Sequence, residues 1–238
     1  MAVSVDIKKL LESGAHFGHT TSRWHPKMAP YIHSKRAGNH IIDLTKTVEG
    51  LEAALPVITK AVAGGKQVLL VGTKRQAKEL VKQAAADTGM PFVVNRWVGG
   101  MLTNTNTMNG RIKHLQDLEN KLESGELASR YNKLEVQRFE EEIAQMNFLY
   151  GGIKDLHGKP GLVYVTDVVT DHLAVKEAKR LGVPVIGVVD SNADPSGIDF
   201  PIPANDDALK AVQILIDYVV AAINEGKASA KAPKTEDK

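Results

Sequence analysis

The chain has 238 residues, 43% of them hydrophobic but only 5% aromatic, so its core must be mostly aliphatic. That length allows one large domain, or one domain with an appendage. There is no cysteine, which excludes a disulfide scaffold, a zinc ribbon, an iron–sulfur centre and a cysteine nucleophile together.

Asp6 to Ser13 reads as a short helix ending at Gly14. Residues 14–46 show no clean period and read as an irregular segment or a twisted hairpin. Thr47 can cap a helix to about Ala63, although Pro56 weakens its second half. The apolar run 67–71 reads as a buried strand, Gly72-Thr73-Lys74 as a turn, and the chain to about Ala86 as a helix. Phe92-Val93-Val94, residues 162–166 and residues 184–189 are further buried strands. Between the last two, Thr170 or Asp171 starts a helix to Leu181. Phe200-Pro201-Ile202-Pro203 can be only a short edge strand, because proline cannot donate to a ladder. Asn205 or Asp206 caps a last helix from Ala208, which Gly226 stops.

Strands alternating with helices predict an α/β protein with a doubly wound, mainly parallel sheet. Residues 103–150 break that rhythm. Ile112, Leu115, Leu118 and Leu122, then Val136, Phe139, Ile143, Met146 and Tyr150, form two narrow seams on charged helices. They predict an antiparallel helical hairpin inserted between two strands. The expected division is an α/β body over 1–102 and 151–226, an arm over 103–150, and a disordered tail over 227–238.

The net charge of +2 hides an asymmetry. Residues 1–113 carry 16 Lys+Arg against 7 Asp+Glu, and residues 114–238 carry 14 against 21. A basic half of this kind suits a polyanion. No apolar run approaches the roughly 18 residues of a membrane helix, and the first residues lack signal or transit character, so a cytoplasmic protein without membrane contact is expected.

Gly72-Thr73-Lys74-Arg75 lies at a strand–helix junction, where backbone N–H groups attract phosphate. It is neither a G-x-x-x-x-G-K-[ST] nor a G-x-G-x-x-G motif, so a nucleic-acid backbone suits it as well as a mononucleotide. Arg96-Trp97 and Gly99-Gly100-Met101-Leu102-Thr103-Asn104 follow another strand, where ligands of open α/β sheets sit. Arginine can take phosphate there while tryptophan packs on a sugar or base. Histidines 16, 19, 25, 33 and 40 share the segment 14–46 with Arg23, Trp24 and Lys27. His16-x-x-His19 is a poor ligand spacing and no cysteine assists it, so no metal and no cofactor is assigned. Asp190-Ser191-Asn192-Ala193-Asp194 reads as an Asx-rich turn rather than a catalytic pair. No G-x-S-x-G elbow is present.

Several blocks also carry a family likeness. Ala15-His16-Phe17-Gly18-His19, Arg23-Trp24-His25-Pro26-Lys27-Met28, His40-Ile41-Ile42-Asp43-Leu44 and Val71-Gly72-Thr73-Lys74-Arg75 open the series. Arg96 to Asn104, Gly151-Gly152-Ile153-Lys154-Asp155, Asp190 to Pro195 and Ile202 to Ala208 complete it. In this order they resemble the bacterial small-subunit ribosomal proteins of the S-two family. The resemblance implies a flavodoxin-like α/β domain with a coiled-coil hairpin and no catalysis. It implies binding of small-subunit ribosomal RNA, with neighbouring ribosomal proteins as partners. Among these would be the multi-repeat one that captures messenger RNA. Arg23, Trp24, Lys27, Lys74, Arg75, Arg96, Trp97 and Asn104 are the residues onto which RNA contact is carried. The competing readings are a nucleotide- or phosphate-ester-handling α/β enzyme built on Lys74 and Asp190, and a protein-docking module built on the arm.

Overall fold

The computed structural model describes residues 4–231. Helix α1 (Ile7–Ser13) starts where the Asp6 carboxylate accepts the Lys8 N–H, and ends at Gly14 in the left-handed region. The segment after it is a three-stranded antiparallel sheet of β1 (Phe17–Thr20), β2 (Ile32–Arg36) and β3 (Asn39–Ile42), in the order β1-β3-β2. Its outer strand exposes His33 to Arg36, while β3 buries His40 and Ile42.

Asp43, not Thr47, caps α2 (Leu44–Ala63), accepting the Thr45 N–H at 2.9 Å. Thr47 is buried in the first turn and donates to the Pro203 carbonyl at 2.5 Å, tying the helix to the far sheet. Pro56 lies on the exposed side of α2 and does not end it.

The chain then alternates. β4 (Val68–Val71), α3 (Lys78–Thr88) and β5 (Phe92–Val93) lead into α4 (Thr105–Glu123), α5 (Glu126–Arg130) and α6 (Lys133–Tyr150). β6 (Leu162–Val165), α7 (His172–Arg180), β7 (Val185–Val189), β8 (Phe200–Pro203) and α8 (Leu209–Lys231) follow. The five later strands form one parallel sheet in the order β5-β4-β6-β7-β8. Counted among themselves they run 2-1-3-4-5, the flavodoxin-like doubly wound order. The two prolines of β8 sit on an edge, as a missing N–H requires.

The strands are apolar throughout because both faces are covered. Val68, Leu70, Leu162, Tyr164, Ile186 and Ile202 face a core shared with α1, α2, α3 and α8. Leu69, Val71, Val163, Val165 and Val189 face a second core with α7, Met28, Trp97, Met101 and Met108. At the end of β4, a Cβ on Gly72 would lie 2.8 Å from Thr166 Oγ1 and from Val81 Cγ2, so only glycine lets α3 pass this close.

α4 and α6 meet through Leu115, Leu118, Ile143 and Met146. The short helix α5 was not anticipated. Glu119 ties the base of this pair, accepting from Asn147 at 2.7 Å and from Lys154 at 2.6 Å.

Gly226 does not stop the last helix. α8 runs through it to Lys231, because the position serves packing: a Cβ there would meet the Thr59 carbonyl at 2.7 Å and Val62 Cβ at 2.8 Å. The expected disordered tail therefore needs correcting over 227–231, which are helical, with Lys227 donating to the Thr88 carbonyl. Residues 232–238 lie outside the described residues.

Candidate nucleic-acid interface

All eight expected contact residues sit on loops around the carboxyl end of the parallel sheet, or on segments joined to those loops, but they differ in exposure. Lys74 follows β4 and turns inward. Its ammonium lies 2.6 Å from Asp206, 2.7 Å from Asp207 and 3.4 Å from Asp167. Burial opposes its charge, but the hydrogen bonds to Asp206 and Asp207 outweigh that and raise its pKa. Beside it, Thr73 donates from its N–H at 3.1 Å and its hydroxyl at 2.7 Å to Asp171. In this topology ligands bind where the strand order reverses, here between β4 and β6. That crevice is occupied by the chain's own ion pairs. The expectation of a free cation at Lys74 is thereby corrected: its ammonium is met by three carboxylates of the same chain. Arg75, one residue on, is exposed.

Trp97 is also corrected. It is only 6% exposed and belongs to the second core, so it offers no flat face to a base. Its indole N–H donates to Glu177 at 3.1 Å. The same carboxylate accepts the backbone N–H groups of Gly100 (2.7 Å), Leu102 (3.0 Å) and Thr103 (3.1 Å), and the Thr103 hydroxyl (3.0 Å). Burial would raise the Glu177 pKa, but the indole and the three backbone N–H groups hold it below the ordinary carboxylate value. The loop they fix presents Arg96 and Asn104 to solvent. Asn104 occupies the N-cap of α4, yet its side chain makes no capping bond.

Arg23, Trp24 and Lys27 reach this end of the sheet through the turn after β7. The His25 N–H donates to the Ser191 carbonyl at 2.7 Å, and the His19 N–H to the Ser191 hydroxyl at 2.8 Å. Arg23 is exposed. Lys27 pairs with Asp194 at 2.9 Å. The Ser196 N–H and this ammonium together hold the Asp194 carboxyl well below the usual range. Trp24 is half-buried, with its ring tilted against that of His40 at 5.1 Å between centroids and approached by Lys35 at 5.8 Å. It therefore has less free ring than the sequence suggested.

Arg23, Arg75, Arg96 and Asn104 thus remain exposed, and none of the three arginines has an ion pair among the described residues. Lys35 and Arg36, on the exposed strand β2, join them and were missed as site residues. Their signal was present, because they fall in the basic segment 14–46. The basic groups flank an acidic centre of buried Asp167, Asp171, Asp190 and Asp206, all from the acidic half of the chain. Charge summed along the sequence did not reveal this interleaving.

Among the described residues, one grouping has metal-ligand chemistry. His19, Asp206 and Asp207 each offer a ligand atom within 4.8 Å of the others. His19 also meets Asp190 at 3.1 Å, and this hydrogen bond raises its pKa. Lys74 already brings positive charge to both Asp206 and Asp207. Spacing could not have found the group, since its members come from β1 and from the loop after β8.

A doubly wound sheet in this strand order, with its reversal point filled by the chain's own ion pairs, places the chain among flavodoxin-like α/β proteins. Comparison with known proteins makes this specific. The family model described as ribosomal protein S2 matches residues 10–226. The small ribosomal subunit protein uS2 of Dehalococcoides mccartyi is 44% identical over 233 residues, covering 98% of this chain and 95% of that one. Its counterparts in Chloroflexus aurantiacus and Coprothermobacter proteolyticus are 46% and 45% identical, over 93% and 95% of this chain and 93% and 84% of their own lengths. The chain belongs to the ribosomal protein S2 family. Its role is structural, in translation by the small subunit, and the enzyme reading is overturned. No helix among the described residues is long and apolar enough to cross a membrane.

Proposed function

We propose that the chain is held on small-subunit ribosomal RNA, in the bacterial cytoplasm, through Arg23, Arg75, Arg96 and Asn104. Lys27, Lys35 and Arg36 widen that footprint, and Trp24 lies against it. The observation that carries this reading is the state of three arginines. Arg23, Arg75 and Arg96 are exposed without an ion pair among the described residues, in a chain with 28 acidic side chains. Guanidinium groups held on separate loops can take several phosphates of a folded RNA at once. Affinity then arises from counterion release, and selectivity from the shape of RNA junctions.

The body, 1–102 and 151–226, bears the arginine and lysine contacts in this reading, and Asn104 stands at the root of the arm. The arm, 103–150, serves neighbouring ribosomal proteins, including the multi-repeat one that captures messenger RNA. Exposed Tyr131, Leu134 and Phe148 on or beside α6 favour protein contact there.

The test is assembly. Arg23→Ala with Arg96→Ala should lower occupancy of small subunits after a salt wash, with an unchanged melting temperature. Deleting 111–146 should leave RNA binding intact and reduce protein recruitment. Full occupancy by the double variant would refute the RNA reading.

A further inference from the structure

The loop from Arg96 to Asn104 contains no regular helix or strand, and Gly99 and Gly100 stand in its turn. Such a segment would ordinarily sample many conformations. Here the N–H groups of Gly100, Leu102 and Thr103 converge to form a concave donor site that attracts an anion. The anion is supplied internally by Glu177 of α7, which lies 74 to 80 residues further along the chain from its partners. Both of its oxygens are used. Gly100 and the Trp97 indole bind Oε1, and Leu102 with both Thr103 donors binds Oε2.

Two consequences follow from this geometry. The glycine loop cannot take an RNA phosphate on those amides, because a carboxylate already fills them. The loop's shape, and hence the direction in which Arg96 and Asn104 leave it, depends on a residue that has no part in RNA contact itself. We infer that Glu177 is a positioning residue for RNA recognition: an acid that strengthens the binding of a polyanion by fixing the loop that bears Arg96 and Asn104. This rests on the RNA reading above. It also runs against the simple electrostatic expectation, under which removing a negative charge near the interface would tighten binding.

Glu177→Gln keeps the size of the side chain but removes the charge and sets an NH2 group against N–H donors. In the full-length variant, amide exchange at Gly100, Leu102 and Thr103 should quicken at least about tenfold. Affinity for a small-subunit ribosomal RNA transcript should fall about tenfold despite the lost negative charge. A double-mutant cycle separates positioning from general destabilisation. In the wild type, Arg96→Ala and Arg75→Ala should each cost about tenfold in affinity. In the Glu177→Gln background Arg96→Ala should cost less than about twofold, while Arg75→Ala, outside the loop, keeps its full effect.

Should Arg96→Ala cost the same in both backgrounds, the positioning role is overturned and the RNA reading stands. Should neither arginine matter in the wild type, the RNA reading fails and takes the positioning role with it. If Glu177→Gln does not fold, Trp97→Phe with Thr103→Val removes the indole and hydroxyl donors and leaves the carboxylate. The same cycle in that variant must then show a reduced Arg96 effect, and an unreduced one overturns the inference.

Discussion

The Lys74 ammonium meets the Asp206 carboxylate at 2.6 Å, joining the end of β4 to the loop after β8 across 132 residues of sequence. Asp206 is 2% exposed and Lys74 19%, so neither charge is well solvated. The pair closes the crevice that related folds leave open for a ligand. A lysine that looks like a phosphate contact in the sequence is a structural counter-ion in the fold.

Lys74→Ala should therefore act on stability. It strands Asp206 and Asp167 without their cation, and a broken buried pair costs about 3 kcal/mol. Arg75→Ala, at an exposed position, should stay within about 0.5 kcal/mol. Urea unfolding of the two neighbouring variants measures the contrast. Equal stability would mean that the Lys74 cluster does not hold the sheet ends together.

The same cluster sets a pH dependence. Burial pushes the Asp206 carboxyl up to about 7 from its ordinary 3.8, with Asp167 and Asp190 pushing the same way and Lys74 opposing them. Across that window the folded protein keeps a proton that the unfolded chain has lost. The contribution is therefore full below about pH 4 and lost as pH rises through about 7. Asp206→Asn does not titrate. Its stability relative to wild type should rise over this window by a few kcal/mol, because each tenfold difference in proton affinity between folded and unfolded chains is worth about 1.4 kcal/mol. Denaturant midpoints at half-unit pH steps test it, and parallel curves would place the proton elsewhere.

His40 gives the opposite sign. It is fully buried against Trp24, and neither ring nitrogen has a partner among the described residues. Burial, with Lys35 adding, lowers its pKa below 6.5. Its contribution is full above about pH 6.5 and lost as pH falls, because the unfolded chain then binds a proton that the folded one refuses. His40→Phe keeps a ring on Trp24 and removes the titration. Trp24 fluorescence should report acid opening of the β1-β3-β2 sheet in the wild type and much less of it in the variant. An identical acid transition in both would clear His40 of the effect.

The legible parts of the fold were those written in local pattern. The consecutive aliphatic runs of β4, β6 and β7 announced buried parallel strands, and the seams at Leu115–Leu118 and Ile143–Met146 announced paired helices. Long-range chemistry was not legible. Nothing near Trp97 indicates that its indole would point at Glu177, and nothing near Lys74 indicates three aspartates from distant loops. Gly226 looked like a helix stop because glycine has low helix propensity, and its role in the contact with α2 appears only when two helices cross. The exposed arginines were identifiable by type and segment, but their freedom from partners was not.

Gly226→Ala isolates that crossing. Alanine is favoured over glycine in a helix by about 1 kcal/mol. The new methyl would meet the Thr59 carbonyl and the Val62 side chain, and overpacking of this kind costs about 1–3 kcal/mol. Because a helix backbone carbonyl yields little, the clash should win and the variant should melt lower. Gly110→Ala in α4, with nothing within 4 Å of the added methyl, should melt higher. Two substitutions of one kind thus have opposite expected signs, and matching shifts would contradict the close α2–α8 approach.

Salt dependence resolves which basic residues touch phosphate. Each Lys or Arg removed from a phosphate contact lowers the slope of log affinity against log salt by about one. Arg23→Ala, Arg75→Ala and Arg96→Ala should each flatten that slope for small-subunit ribosomal RNA between about 50 and 300 mM salt. Lys74→Ala, read at a temperature where it remains folded, should not, because its charge is already spent on Asp206 and Asp207. Lys27→Ala should have an intermediate effect, since Asp194 competes for its ammonium at 2.9 Å. A slope that fell with Lys74→Ala and held with the three arginine variants would reverse the assignment, placing the RNA in the crevice between β4 and β6.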